Sequence, residues 1–390
     1  MMRAIVQAGA LRSAVNKAVA ALNKSNWVPV LSMVRIECAE GRLSVSGTNQ
    51  TMVVTATCPV HSGEDGAFCV PGVRLARFLR HLPADEMLSI RHVGDRAQID
   101  MALGRLSLMT IPADEFPTKA SIVEPFGPAI TMTAPDLLAF LRRLLPFVCT
   151  EETRYYLNGV CLHAGPGGKL VGAATDGRHL ARVTLDADAG TMGDLRAIVP
   201  NAAVRWIVSH LGKTGDAKLS FDAGKHCIRI EAEGTTIVTD LVDGRYPDYE
   251  RVIPATWTKR VKLDRAKTLS TLTLLNSLLH KGNGCRIVEQ ADGRLAVVAR
   301  NIDSEELVLA LPMTAAEPAI EAARFDVSMN PRLLTTALLA SCGEAIWLAA
   351  SPGGGPVAIT GDDDPGAVSV VMPMRGIDFD IALPDGAVAC

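Results

Sequence analysis

Apolar side chains recur three and four positions apart in six stretches of the chain, separated by short runs in which apolar and polar positions alternate. The first spacing marks amphipathic helices and the second half-buried strands. Leu11, Val15, Ala18, Val19 and Leu22 form one stripe, Leu137, Leu138, Leu141 and Leu145 another, and Leu269, Leu272 and Leu275 part of a third. A second set of stripes follows strand-like runs that end near a proline. Leu75, Phe78, Leu79 and Leu82 come after Val70-Pro71, and Val204, Ile207, Val208 and Leu211 after Val199-Pro200. Leu333, Leu334, Ala337 and Leu338 come after Met329-Asn330-Pro331. Proline suits the start of a helix, where its missing N–H has no intrahelical partner in any case. These prolines lie 129 and 131 residues apart.

The strand-like runs repeat in the same phase. Gly41-Arg42-Leu43, Gly168-Lys169-Leu170 and Gly293-Arg294-Leu295 are separated by 127 and 125 residues. Each follows an alternating apolar run and precedes another strand and a polar turn: Gly47-Thr48-Asn49, Ala174-Thr175-Asp176 and Ala299-Arg300-Asn301. Two helices per copy alternate with short strands, which predicts three similar α+β domains. We place them at residues 1–127, 128–254 and 255–376, with an extension over 377–390.

Composition narrows the class. With 48% hydrophobic and 21% charged residues, the chain of 390 is globular, not disordered. Its 4% aromatic content argues against a single-strand binder built on stacking platforms. Nine scattered cysteines contain no C-x-x-C pair, which fits free thiols in a reducing compartment. No apolar run is long enough for a membrane span, so a cytoplasmic protein is expected. Residues 1–36 hold five basic residues and no acid, superficially like a transit peptide. The stripe beginning at Leu11 favours a basic helix belonging to the fold.

The net charge of -3 looks unsuited to nucleic acid until it is divided by element. Helices placed at 8–24, 71–82, 135–146, 201–213, 264–281 and 330–342 are all net positive and together carry +12, leaving -15 elsewhere. Arg74, Arg77 and His81 fall on one face, opposite Phe78, Leu79 and Leu82. Six positive helices in an acidic protein point to a polyanion facing the helices, with sheets outside.

Catalytic and metal chemistry finds no support. Gly165-Pro166-Gly167-Gly168-Lys169-Leu170 lacks both the leading glycine and the Ser/Thr of a phosphate loop and reads as a hairpin turn. Asp362-Asp363-Asp364-Pro365 lacks alternating ligand spacing, no H-E-x-x-H pair occurs, and no G-x-S-x-G elbow is present. Asp114, Glu115 and Asp243 sit in proline turns. No enzyme, metal or cofactor is predicted.

Four segments carry a resemblance. Thr153-Arg154-Tyr155-Tyr156-Leu157-Asn158-Gly159-Val160, Ala174-Thr175-Asp176-Gly177, Asp243-Gly244-Arg245-Tyr246-Pro247-Asp248-Tyr249 and Val370-Val371-Met372-Pro373-Met374-Arg375 resemble the bacterial DNA polymerase III β subunit, the sliding clamp. Ala113-Asp114-Glu115-Phe116-Pro117 is the best match in the first domain, and the resemblance spans residues 1–376. It implies a DNA clamp fold: a head-to-tail homodimer whose six domains form a ring around duplex DNA, helices inward and antiparallel sheets outward. The implied activity is processivity in DNA replication, without catalysis. Implied partners are double-stranded DNA, the DNA polymerase III α subunit, the clamp loader and other clamp-motif proteins.

Carried over residue by residue, the partner-peptide pocket would comprise Leu157, Thr175, Gly177, Arg178, His179, Leu180, Pro247, Arg251, Val252, Val370, Val371, Met372, Pro373 and Met374, with Arg375 at its rim. Leu106 and Leu108 would face the Leu274/Leu275 region of the partner copy. Arg12, Lys17, Arg74, Arg77, Arg80, Arg142, Arg205, Lys213 and Lys267 are expected to line the hole, with Arg154 and Tyr156 added by likeness.

The chain departs from the family pattern at several points. Gly177-Arg178-His179-Leu180 reverses the usual His-Arg order, Ser25 stands where arginine is common, and Pro356 replaces a serine. The family's chain ends soon after the Met-Pro-Met-Arg segment, whereas here fourteen residues, Ile377 to Cys390, follow Gly376. Ile377, Phe379, Ile381 and Leu383 alternate with Asp378 and Asp380. A partly ordered tail or added edge strand is one reading, and a segment competing at the peptide pocket another. A second, specialised clamp and a three-domain enzyme with a hidden site are the competing functions.

Overall fold

A computed structural model describes residues 2–23, 28–117, 126–222, 226–280, 282–318, 323–375, 377, 382–384 and 386–387. Ser25, Phe379 and Ile381 therefore lie outside the described residues. Among the described residues there are six α-helices: α1 (Ala8–Ala20), α2 (Gly72–Leu79), α3 (Ala134–Leu144), α4 (Asn201–His210), α5 (Arg265–Leu278) and α6 (Pro331–Ala340). Each stops two to four residues short of its expected C-terminal end, and their net charge is +9 against -12 for the rest of the chain. The sign of the predicted segregation holds.

One element order recurs three times: strand, helix, a set of strands, helix, three strands. Its markers have a physical basis. Gly41, Gly168 and Gly293 all take positive φ, +72°, +74° and +83°, in tight turns where a side chain would be strained. Pro71 and Pro200 are the N-cap residues of α2 and α4, while Pro331 is the first residue of α6. Asn330 caps α6 by accepting from the Arg332 N–H at 2.9 Å, and Asp264 caps α5 by accepting from the Lys267 N–H at 2.9 Å.

The chain folds into two compact units, each taking in part of the second repeat. The first contains residues 1–138, 187–195 and 199–243. It holds a five-stranded antiparallel sheet that ends at the edge strand Gly104–Met109, and an eight-stranded sheet running from Ala129–Thr133 to Gly66–Pro71. The larger sheet is continuous because Thr235–Asp240 pairs antiparallel with Met52–Pro59. Helix α1 packs on α2 and on Met52–Pro59, and its predicted stripe is the core: Leu11, Val15, Ala18 and Leu22 meet Leu75, Leu79, Val34, Ile36 and Phe68. The helix sits so close to the sheet that a Cβ on Gly47 would lie 2.1 Å from the Ala18 carbonyl oxygen.

The second unit contains residues 139–186, 196–198 and 244–390. Its nine-stranded sheet is joined where His179–Asp188 pairs antiparallel with Ala367–Val371, Leu180 opposite Val370. A four-stranded sheet runs in the order Glu306–Leu311, Leu295–Arg300, Cys285–Glu289, Asp326–Met329. Helices α5 and α6 pack against each other, and Leu272 and Leu275 of the first and Leu334 and Leu338 of the second are fully buried. Among the described residues, no helix is long and apolar enough to cross a membrane, and no cluster of His, Cys, Asp or Glu is arranged to hold a metal.

Candidate functional site

The second unit carries a cavity of about 350 Å³, lined by Arg154, Tyr156, Leu157, Thr175, Gly177, His179, Leu180, Pro247, Asp248, Tyr249, Val252, Val370 and Met372. Its size falls in the range of ligand pockets, and its walls are mainly apolar.

Three local structures build it. The first is the turn between strands Lys169–Thr175 and His179–Asp188. Gly177 takes φ +87°, and a Cβ there would sit 3.0 Å from the Arg154 guanidinium. Thr175 Oγ1 donates to the His179 carbonyl at 2.7 Å and accepts from the Gly177 N–H at 3.0 Å. Asp176 is the anchor: its Oδ1 accepts from the N–H groups of Arg178 and His179, at 2.8 and 3.0 Å, and faces His179 Nδ1 at 2.7 Å. Burial alone would raise the Asp176 carboxyl, but the His179 ring and the two backbone donors hold it well below the usual carboxylate range. With Nδ1 tied to a carboxylate, that nitrogen carries the hydrogen. The ring packs on Phe147, centroids 4.6 Å apart.

The second structure is the segment 244–252. Tyr249 Oη lies 2.7 Å from His163 Nε2, and His163 Nδ1 lies 2.8 Å from its own neighbour's carbonyl, Ala164 O. That pairing assigns the Nδ1 hydrogen to the carbonyl and leaves Nε2 to accept from the phenol. Burial, then the nearby Glu250, pushes the Tyr249 hydroxyl far up, so it stays a donor. Asp248 pairs with Arg251 at 2.7 Å on the outside. The third is the last strand, which continues past Val371 as the Met372 N–H donates to the Arg178 carbonyl at 2.8 Å. Met372 and Val252 remain partly open, 38% and 39% exposed, at the mouth.

Nine of the expected pocket residues meet here: Leu157, Thr175, Gly177, His179, Leu180, Pro247, Val252, Val370 and Met372. Six do not line it. Val371 is fully buried on the other face of its strand. Arg178 turns to Asp176 at 2.9 Å, and Arg251 to Asp248. Pro373, Met374 and Arg375 border a separate cavity of about 460 Å³ with Arg286, Asp326, Ser328 and Ile377. Asp248 and Tyr249, absent from the expected set, also line this pocket, as do Arg154 and Tyr156, which are expected to face DNA. Arg154 donates to the Asp176 carbonyl at 3.1 Å.

Of the other expected DNA-facing residues, Arg74, Arg77, Arg80, Arg142, Arg205, Lys213 and Lys267 are exposed. Arg12 and Lys17 are drawn inward. Arg12 donates to the Leu82 carbonyl at 3.2 Å, and Lys17 to Thr235 Oγ1 at 2.8 Å. Burial lowers the Lys17 amine against the opposing pull of Glu233. Leu106 and Leu108 lie on the edge strand Gly104–Met109, the first half-buried and the second 9% exposed. On α5 the neighbouring leucines differ: Leu274 is 59% exposed, but Leu275 is fully buried in the helix core.

Repeated α+β units, sheets shared between consecutive repeats and a preformed apolar pocket define the DNA clamp class. The family models for the DNA polymerase III beta subunit match its N-terminal domain at residues 2–120 and its central domain at 141–248, together more than half the chain. The beta sliding clamp of Caulobacter vibrioides is 28% identical over 390 residues, covering 96% of this chain and 100% of the relative. That of Escherichia coli K12 is 28% identical over 356 residues, covering 89% and 93%. A solved sliding clamp from Pseudomonas aeruginosa, bound to griselimycin, superposes with a TM-score of 0.87 at 26% identity, covering 96% of this chain and 100% of that one. The chain belongs to the bacterial DNA polymerase III β subunit family, the sliding clamps.

Proposed function

We propose that this chain closes head to tail with a second copy into a ring around duplex DNA and tethers the replicative polymerase, giving processivity without catalysis. The observation that carries the reading is how consecutive repeats share sheets. Thr235–Asp240, the last strand of the second repeat, pairs with Met52–Pro59 of the first. Ala367–Val371, the last strand of the third, pairs with His179–Asp188 of the second. In both cases a last strand joins the third strand after the opening helix of the preceding copy. The same rule leaves Gly104–Met109 in need of a preceding copy and Glu306–Leu311 in need of a following one, and both are sheet edges. A second chain satisfies both at once. The two contacts are heterologous and close on themselves, and they remove open edges that invite aggregation.

On this reading the domains are 1–127, 128–254 and 255–376. The positive helices face the phosphates, and binding is sequence-independent. Topology retains the ring, so individual contacts stay weak enough to slide. The 350 Å³ cavity takes apolar side chains of short peptides from the polymerase α subunit, the clamp loader and other partners, each well-buried anchor worth about 1.5–3 kcal/mol. Flexible Met372 at its mouth suits several peptides. The protein would be cytoplasmic and nucleoid-associated. The test is loading onto nicked circular DNA with a clamp loader, followed by linearisation. A sliding ring is lost from linear ends and retained on circles; equal retention on both refutes the reading.

A further inference from the structure

A large buried residue followed directly by proline comes six to twelve residues after the last strand of each repeat. The pairs are Phe116-Pro117, Tyr246-Pro247 and Leu383-Pro384, and Phe116, Tyr246 and Leu383 are 2%, 3% and 7% exposed. Phe116 follows the turn Ala113–Glu115, which lies against strand Gly66–Pro71. The segment bearing Tyr246 is pinned by the Tyr249–His163 bond to strand Gly159–Ala164. The third pair sits in the extension beyond Arg375, and there Leu383 packs on Ala296 and Val298 with Val288, Val308 and Ala310 around it.

Those five residues share one face of the four-stranded sheet: Val288 is opposite Ala296, Ala296 opposite Ala310, and Val298 opposite Val308. Leu295, Val297 and Ala299 turn to the other face, and every residue from Leu295 to Ala299 is buried. A continuous apolar run of this kind needs cover on both sides. Here the extension supplies one of them. Among its described residues two polar bonds attach it: Arg294 donates to the Ala387 carbonyl at 2.8 Å, and Ser328 Oγ to the Ile377 carbonyl at 3.4 Å.

We propose that the extension completes the third repeat and braces the edge strand Glu306–Leu311, so that ring closure depends on it. The proposal rests on the ring reading above. Val308 and Ala310 belong to the strand that must hold its register to pair with a second copy. Without Leu383 they face water on a strand supported from one side only.

The test compares four proteins by sedimentation equilibrium and amide deuterium exchange: the full chain, the chain ending at Arg375, Leu383→Asp and Leu383→Met. Loss of a buried apolar anchor should raise the dimer dissociation constant by about tenfold or more in the truncated and Asp proteins, while Leu383→Met stays near the full chain. Exchange should quicken in Glu306–Leu311 and not in the internally paired strand Thr235–Asp240. Should truncation prevent folding, the full-length Asp and Met variants carry the comparison. Unchanged dimerisation and exchange in the truncated or Asp protein overturns the brace. A full chain that remains monomeric overturns the ring reading instead, and the brace is then decided by exchange alone: unchanged protection of Glu306–Leu311 rejects it.

Discussion

Replacing Asp176 tests how the pocket is held in shape. The carboxylate is 8% exposed and accepts from two backbone N–H groups and from His179 Nδ1, all on Oδ1. Arg178 adds bonds from Nε and Nη2 at 3.1 and 2.9 Å, but its side chain is 70% exposed and contributes little. Three well-shielded bonds, at about 1–1.5 kcal/mol each, give about 3–4.5 kcal/mol for Asp176→Ala. Asp176→Asn keeps a carbonyl for the backbone donors and loses the charged contact with His179, about 1–2 kcal/mol. The pH dependence has a definite sign. Because the native carboxyl is held below its unfolded value of about 3.9, its contribution is fully present above that value and lost as pH falls through the native one. Urea unfolding followed by circular dichroism, at neutral pH and below pH 3, should therefore show a wild-type advantage over Asp176→Asn that shrinks in acid. An advantage absent at neutral pH, or unchanged in acid, refutes the argument.

Three further outcomes are expected. Leu274→Asp, at a 59% exposed position, should fold with near-native stability and weaken dimerisation at least about tenfold, whereas Leu275→Asp buries a charge and should unfold the second unit; equal behaviour of the two by sedimentation and thermal melting would contradict the placement of α5. Gly41→Ala and Gly293→Ala meet no neighbour within 4 Å, so each should cost only the left-handed backbone strain, about 1–2 kcal/mol by denaturant midpoint. Burial raises the thiols of Cys161 and Cys285 to about 12, while Cys342 is exposed; alkylation near pH 8, read by peptide mass, should modify Cys342 in the native protein and the other two only after unfolding.

The repeat was legible in the sequence because its markers are backbone requirements. A glycine with positive φ and a proline at a helix start tolerate few alternatives, so Gly41, Gly168 and Gly293 persist where side chains diverge. The stripes gave the helix cores for the same reason, since periodicity records burial. What they could not resolve is which of two adjacent leucines faces inward: Leu274 and Leu275 differ by about 100° of helix rotation, enough to put one in water and the other in the core. The pocket was half legible. Its strand residues alternate in and out, so Leu180, Val370 and Met372 could be placed, but Val371 had to face away. The bond from Tyr249 to His163 joins positions 86 apart in sequence, and no local pattern announces it. Compact units likewise cut across the repeats because each shared sheet ties one repeat to half of the next.

The inward turn of Arg12 and Lys17 bears on how a clamp can hold DNA without gripping it. Each has a side-chain nitrogen bonded to the protein, Arg12 Nη1 to the Leu82 carbonyl and Lys17 Nζ to Thr235 Oγ1, and in the proposed ring that restrains how far either follows a phosphate. A charge still acts through the field it sets up, and at physiological salt that field reaches about 8 Å. Arg74, Arg77 and Arg80 are different, since all three are exposed, on α2 and just beyond its end, with Leu75 and Leu79 buried beneath them. In the proposed ring these exposed arginines, with Arg142, Arg205, Lys213 and Lys267, are placed to make and break phosphate contacts, while Arg12 and Lys17 supply a more fixed background. A lining of short-lived contacts over a fixed field favours occupancy of the hole without favouring one register on the DNA, which is the condition for sliding.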